Sequence, residues 1–273
     1  MKLRNLSNKS PEEIVRAFEG ELALLGRMQT MQVESLPTGL STLDDALGVK
    51  GLPLGRIVEV YGGESEGKTS LALAIAARAQ QAGGKAAFLD IEHSLNLKTA
   101  KGLGVDLDNL LFNQPDSAEG ALELVKRLLE THAANVIIVD SVAALTPESQ
   151  EERDVGDAIP GRRALLLSNT LPILAKLANQ SGTILIFINQ IRYKIGVRWG
   201  SPVTTPGGNA LKFFASMRLQ IKRLDTIKTN GKQIGHRVCV TVVKNKMAMP
   251  FRKAFLRLDY GKSWTVEDGK DEE

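Results

Sequence analysis

One stretch, YGGESEGKTSLALAIAARAQ at residues 61 to 80, restricts this chain more than any other. Gly62, Gly67, Lys68 and Thr69 satisfy G-x-x-x-x-G-K-[ST], with an apolar run before and an apolar-periodic segment after. That pattern has a specific physical use: a strand feeds a glycine-rich turn whose backbone N–H groups surround phosphate oxygens at a helix N-terminus. Lys68 is placed to reach the outer phosphates and the Thr69 hydroxyl to ligate Mg²⁺. Gly62, Gly63, Glu64, Ser65, Glu66, Gly67, Lys68, Thr69 and Ser70 are therefore the candidate nucleotide-binding residues.

The surrounding pattern agrees with a strand-turn-helix context. RIVEVYG (56–62), KAAFLD (85–90), NVIIVD (135–140) and TILIFINQ (183–190) read as strands, and 68–82, 118–131 and about 161–180 as helices. Near-continuous apolar strands between helices predict a mostly parallel sheet covered on both faces, an α/β fold. After residue 215, MRLQIKRL, RVCVTVVKN and AFLRLDY, separated by turns such as TNGK, predict antiparallel strands added on the C-terminal side. Pro172 lies inside the third helix and is expected to kink it. Near the N-terminus, Ser10 and Glu13 form a capping box with Pro11 at the first helical position, predicting an amphipathic helix over 10–26 with Ile14, Phe18, Leu22 and Leu25 on one face. The expected division is 1–32 for this helix and a linker, 33–262 for the α/β core, and 263–273 for an acidic disordered tail.

With 273 residues, 43% of them hydrophobic, the chain suits a globular domain with terminal additions rather than a disordered protein. Its single cysteine, Cys239, falls in the strand-like RVCVTVV, where burial is the expected role. No intrachain disulfide can form, no apolar run is long enough to span a bilayer, and MKLRNLSNKS lacks a signal peptide's apolar core, so a cytoplasmic protein is expected. The net charge of +4 conceals an asymmetry: Ile191 to Leu258 carries 15 Lys and Arg against Asp225 alone, +14 there and −10 elsewhere. Spread over several strands, this excess points to a polyanion or an acidic neighbouring subunit.

A nucleotide at such a loop needs a second carboxylate near the metal, and NVIIVDS supplies Asp140 at the end of an apolar strand, acting on Mg²⁺ through water with Thr69 as its partner. Hydrolysis also needs a group that orients water. Asp90 and Glu92 in FLDIEH are both candidates, two residues apart and on one side if the strand continues, and the spacing leaves the choice open.

Several segments in order, GLPLGRIVEVYGGESEGKTSLAL, FLDIEHSLN, LGVDLDNLLFNQPD, VIIVDSVAALTP, LIFINQIRYKIGVRWGSPVTTPGGNALKFFAS and VVKNKMAMPF, resemble the bacterial RecA recombinase family from about Val33 to Gly261. The resemblance implies a RecA-like P-loop ATPase core and an ATP-dependent recombinase that forms helical filaments on single-stranded DNA and exchanges strands with a duplex. On it, Glu92 matches the catalytic glutamate. Gln190 matches the residue that senses the terminal phosphate, and Lys244 and Lys246 a pair that reaches the ATP of a neighbouring subunit; with Lys68 these form the catalytic group. The segment after Gln190 matches a DNA loop in which Arg192, Lys194 and Arg198 meet phosphates, Ile195 and Val197 wedge between bases, and Gly196, Gly207, Gly208 and Asn209 shape the loop. Tyr193 and Trp199 either stack on bases or pack against protein. Residues 153–163 match the family's first DNA loop, with Arg162 and Arg163 as contacts. The N-terminal helix is implied to dock on the next subunit.

The chain also departs from the family pattern. Lys98 and Thr99 stand where an adenine-stacking aromatic is usual, and Asn96, expected at the base, replaces an aspartate, so adenine selectivity is expected to differ. The sequence ends soon after YGKSW, where the family adds a small domain that gathers duplex DNA; weaker or delegated duplex capture is the expectation. Two competing readings follow: a regulatory or mediator protein that assembles on DNA without strand exchange, and a small-molecule kinase, for which no acceptor pocket or lid is legible.

Overall fold

The structure, a computed structural model, describes residues 9–18, 21–24, 33–147, 161–193 and 203–267, without the Tyr193 side chain. The chain divides into two compact units, 1–33 and 34–273.

In the first unit, helix α1 (Pro11–Ala17) starts as its sequence dictates. The Ser10 hydroxyl accepts from the Glu13 N–H at 3.3 Å, and the Glu13 carboxylate accepts from the Ser10 N–H at 2.9 Å. The helix is shorter than the expected 10–26, since it stops at Ala17 and residues 21–24 are not helical. Gly20 in the sequence weakens helix continuation by about 1 kcal/mol, and no residue of α1 is buried, so packing does not extend it. Leu25 lies outside the described residues.

The second unit is built on a nine-stranded sheet. In chain order its elements are β1 (Ser35–Leu36), α2 (Ser41–Leu47), β2 (Leu52–Pro53), β3 (Ile57–Gly62), α3 (Lys68–Gln81), β4 (Ala86–Asp90), α4 (Leu97–Gly102), β5 (Leu110–Asn113), α5 (Ala118–Glu130), β6 (Val136–Asp140), a 3-10 turn (Val142–Ala144), α6 (Arg162–Ser181), β7 (Ile184–Gln190), β8 (Arg192–Tyr193), β9 (Val203–Thr204), α7 (Ala210–Phe214), β10 (Met217–Thr229), β11 (Lys232–Asn245), β12 (Lys253–Asp259) and β13 (Trp264–Val266). The sheet order is β13-β12-β11-β10-β3-β7-β6-β4-β5, while β1 with β2 and β8 with β9 form separate pairs. From β10 to β5 neighbouring strands are parallel, and β11, β12 and β13 add antiparallel, as the sequence predicts.

Alternation explains why the central strands are apolar throughout. Val136 and Ile138 of β6 join one core with α2 and α3, whereas Ile137 and Val139 join another with α5 and α6. Both faces of the sheet are thus covered by helices. In the added strands one face is less protected, and β12 alternates between buried and part-exposed residues. Asn230 and Gly231 take φ of 50° and 75°, the pair of positive values that a type I′ hairpin turn requires, and join β10 to β11. Cys239 is free and buried in β11. Helix α6 continues across Pro172, whose side is exposed, so the carbonyl of Ser168 that it leaves unpaired can meet water. The tail expected over 263–273 gives way at its start: Trp264 is buried in β13, because its ring packs beside Gly67.

One polar cluster interrupts this apolar centre. Glu59 of β3, with no exposure, accepts from the Arg218 guanidinium of β10 and from the Asn189 amide of β7 at 3.0 Å. Arg218 also lies 4.6 Å from the centre of the Tyr61 ring. Removing only one partner of a buried pair strands a charge. Arg218→Met is accordingly expected to lower unfolding free energy in urea by about 3 to 5 kcal/mol, with more than half recovered when Glu59→Gln is added. A loss below about 1 kcal/mol would show that Arg218 does not compensate Glu59.

Candidate active site

The phosphate loop lies between β3 and α3. Gly67 caps α3 with φ 94° and no side-chain hydrogen bond, and the first turn carries no acidic residue, so its leading N–H groups are available to an anion. Two glycines are forced by close neighbours: a Cβ on Gly62 would lie 2.4 Å from the Ile221 carbonyl oxygen, and one on Gly67 would lie 2.9 Å from the Trp264 ring. The loop is internally bonded. Lys68 Nζ donates to the Gly63 carbonyl at 2.5 Å, and the Glu66 carboxylate accepts from the Gly63 N–H. Burial lowers the Lys68 pKa, while Glu66, Asp140, Glu92 and Glu64 oppose that shift.

At the end of β6, Asp140 accepts a hydrogen bond from the Thr69 hydroxyl at 2.6 Å. Burial pushes the Asp140 carboxyl up to about 6; the Thr69 bond and Lys68 lower it, and Glu92 and Asp90 raise it. A hydroxyl and a carboxylate converging beside a phosphate loop fit Mg²⁺, which takes few protein groups and completes its shell with phosphate oxygens and water. Among the described residues there is no cluster of three or more His, Cys, Asp or Glu able to hold a metal by itself.

The two candidate carboxylates separate clearly. Strand β4 ends at Asp90, so the assumption that placed Asp90 and Glu92 on one side fails. Asp90 is buried and accepts from the N–H groups of Ser94 (3.1 Å) and Leu95 (3.0 Å) and from the Gln114 amide (3.1 Å). Its capacity is committed to the loop that follows. Glu92 is exposed; its Oε1 accepts from the Gln190 amide at 3.2 Å and from the Ser141 hydroxyl. Ser141 is not among the residues expected at the site, and its only signal in the sequence is its place after Asp140.

A cleft of about 430 Å³ opens beside the loop, lined by Ser65, Gly67, Lys68, Thr69, Ser70, Thr99, Leu103, His236, Leu258, Tyr260, Gly261 and Lys262. Asn96 does not line it: its side chain caps α4 by accepting the Thr99 N–H at 3.0 Å. His236, Leu258, Tyr260, Gly261 and Lys262 are not among the nucleotide contacts expected from the sequence. Sheet order brings them there, since β11 and β12 extend past the loop with His236 paired to Leu258.

Lys244 and Lys246 sit elsewhere. Lys244 pairs with Arg218, which pairs with Glu59, three residues before Gly62. That is about 10 Å back along the strands and two strands across, beyond the reach of a lysine from its own phosphate loop. Lys244 Nζ donates to the carbonyls of Lys212 (2.6 Å) and Phe213 (3.0 Å), and Lys246 Nζ to that of Phe213 (3.2 Å), so both stand at the negative end of α7. Burial, then Lys246 and Arg218, lower the Lys244 pKa against the pull of Glu59.

The flanks of the two proposed DNA segments meet. Cβ atoms on Gly207 and Gly208 would collide with Leu167 and Ala164 of α6, at 2.7 and 2.8 Å. Arg163, at the start of α6, donates to the Ala143 carbonyl at 2.8 Å, and Arg192 on exposed β8 contributes, after burial, to lowering its pKa. Arg163 thus spends part of its guanidinium on the protein, and Arg162 begins the same helix. Asn209 precedes α7 without a side-chain capping bond. Lys194, Ile195, Gly196, Val197, Arg198 and Trp199 lie outside the described residues. Asn189 links this region to the polar cluster, donating to the Pro206 carbonyl at 3.1 Å.

Comparison with known proteins accords with this geometry. A family model described as the RecA N-terminal domain matches residues 7–265. The chain is 52% identical over 250 residues to Protein RecA of Caulobacter vibrioides (strain NA1000 / CB15N), covering 91% of this chain and 70% of that protein. It is 51% identical over 246 residues to Protein RecA of Aquifex pyrophilus, covering 90% and 71%. The crystal structure of a RadB recombinase is similar with a TM-score of 0.63 at 21% identity, over 85% of this chain and 100% of that one, a likeness of fold.

Asp140 supplies a pH test without nucleotide or metal. Its folded pKa is raised above 3.8, so the native state holds the proton more firmly than the unfolded chain; that contribution is full below about pH 4 and is lost as pH rises through about 6. Above that, Asp140→Asn is expected to stabilise the metal-free protein by roughly 2 to 3 kcal/mol, with little difference from wild type at pH 4. Urea unfolding at pH 4, 6 and 8 checks the sign; destabilisation at pH 8 would contradict it.

Proposed function

Because the chain belongs to the RecA family, we infer that it is an ATP-dependent recombinase, a DNA-dependent ATPase acting in homologous recombination and repair. The observation that best supports a coupled device is the Glu92–Gln190 hydrogen bond. One partner is the carboxylate beside the phosphate loop, and the other is the last residue of β7, from which the basic segment departs.

Within this reading ATP lies in the cleft. Lys68 and the N–H groups of the loop and first turn hold its phosphates, and Thr69 with Asp140 would hold Mg²⁺. When bound, the ion neutralises charge on the phosphate oxygens. Glu92 orients the attacking water and accepts its proton. Gln190, as an amide donor, exchanges its bond with Glu92 for one to the terminal phosphate, so nucleotide state reaches the residue that anchors the DNA segment. Hydrolysis releases that hold.

The opposite edge of the sheet supplies the other half of the site. Lys244 and Lys246 of one copy meet the phosphates of the next, where two ammonium groups stabilise developing charge. Repetition of such a head-to-tail contact without closure gives a filament. Along it, Arg162, Arg192 and residues 194–199 meet single-stranded DNA, with a duplex as exchange partner. Among the described residues no helix is long and apolar enough to cross a membrane. The reading as a mediator without strand exchange is not favoured, and conversion of single-stranded and duplex DNA into joint molecules separates the two.

Glu92→Gln is expected to reduce DNA-stimulated ATP turnover by about 100-fold or more while ATP-dependent DNA binding persists; unchanged turnover removes Glu92 from its role. Lys244→Ala with Lys246→Ala is expected to abolish DNA stimulation and leave the thermal midpoint within a few degrees, since among the described residues both amines bond to helix-end carbonyls. Persisting stimulation by single-stranded DNA would refute the shared site.

A further inference from the structure

Ser141 has no part in the reaction just described. It directly follows the last residue of β6 and is 1% exposed. Its hydroxyl donates to Oε1 of Glu92, an exposed side chain on the loop after β4. A buried hydroxyl has to place its proton on an acceptor, because leaving it unmet is costly. Here the acceptor is a carboxylate oxygen, and a bond to a charged group is stronger than one between neutral partners.

Main-chain bonds fix both ends of this contact. Strands β4 and β6 pair in parallel as far as Asp90 opposite Asp140, and the Asp140 carbonyl then accepts from the N–H groups of Ile91 (2.7 Å) and Glu92 (3.2 Å). The Ser141 carbonyl accepts from the Ala144 N–H at 3.1 Å and opens the 3-10 turn Val142–Ala144. Glu92 is thus held twice by consecutive residues at one strand end, its backbone by Asp140 and its carboxylate by Ser141. Gln190 reaches the same Oε1 from β7 at 3.2 Å. The two donors differ in freedom: Ser141 is short and buried, whereas Gln190 carries its amide on a longer, part-exposed side chain.

We propose that Ser141 is a positioning residue for hydrolysis. It keeps Oε1 of Glu92 in place when Gln190 transfers its amide to the terminal phosphate, so that Oε2 stays directed to the attacking water and takes its proton. The proposal rests on the reading of Glu92 as the water-orienting carboxylate. It gives the two donors on Oε1 different duties, Gln190 to signal the nucleotide and Ser141 to hold the base. Ser141 keeps its own proton throughout and acts only through Glu92.

The test compares ATP turnover on single-stranded DNA by the wild-type chain, Ser141→Ala, Glu92→Gln and the double variant. Binding of a non-hydrolysable ATP analogue, and of DNA in its presence, is measured on the same preparations. Ser141→Ala is expected to lower kcat about tenfold. KM for ATP and analogue-dependent DNA binding are expected to stay within about twofold of wild type, the pattern of an interaction used in the transition state. In the Glu92→Gln background the same change is expected to lower turnover by less than about twofold more, since the base it positions is already gone. Turnover by Ser141→Ala within about twofold of wild type overturns the proposal. So does a fall in kcat that comes with weakened analogue binding, or one that multiplies with Glu92→Gln, because either marks a general structural role. Wild-type turnover by Glu92→Gln instead overturns the reading of Glu92 itself.

Discussion

Parallel pairing of β3, β7, β6 and β4 is the constraint on which the remaining chemistry depends. It brings Gly62, Gln190, Asp140 and Asp90 to one edge of the sheet, because each ends its strand in the same direction. The phosphate loop, Asp140 and Gln190, the partner of Glu92, are thereby set side by side without any local sequence relation among them. The apolar residues of these strands hold that arrangement rigid between two helical layers.

The same register separates the lysine pair from the phosphate loop of its own chain. Lys244 and Lys246 are carried to the other end of the strands, where the carbonyls of α7 hold their amines. A cation tethered there is out of reach of its own phosphate loop, which is why we propose that it serves another copy. Between the two edges, Glu59, Arg218 and Asn189 form a buried polar path whose Asn189 holds Pro206, on the far flank of the basic segment. Buried polar clusters of this kind fix geometry more than they add stability.

Much of this was legible in the sequence for identifiable reasons. Continuous apolar runs reported β3, β4, β6 and β7 within about a residue of their ends, and Asn230-Gly231 reported its hairpin through the positive φ its turn demands. Ser10 and Glu13 likewise marked the start of α1, though not its end. What stayed hidden was set by tertiary placement. Asp90 resembles a catalytic acid until the following loop turns its N–H groups toward it, and Asn96 resembles a base contact until it caps α4. Thr99, His236 and Tyr260 share a cleft only because the antiparallel strands extend past the phosphate loop. No periodicity encodes that proximity.

In the proposed mechanism ATP is held between identical copies, with its phosphate loop from one and its lysine pair from the other. Mixing two inactive proteins tests it: Lys68→Ala, which keeps the lysine pair, and the Lys244→Ala, Lys246→Ala protein, which keeps the loop. If the site is shared, equal amounts assembled at random on single-stranded DNA restore ATP turnover at about one interface in four. Mixtures that stay as inactive as their components, although electron microscopy shows them assembled together, would contradict the account.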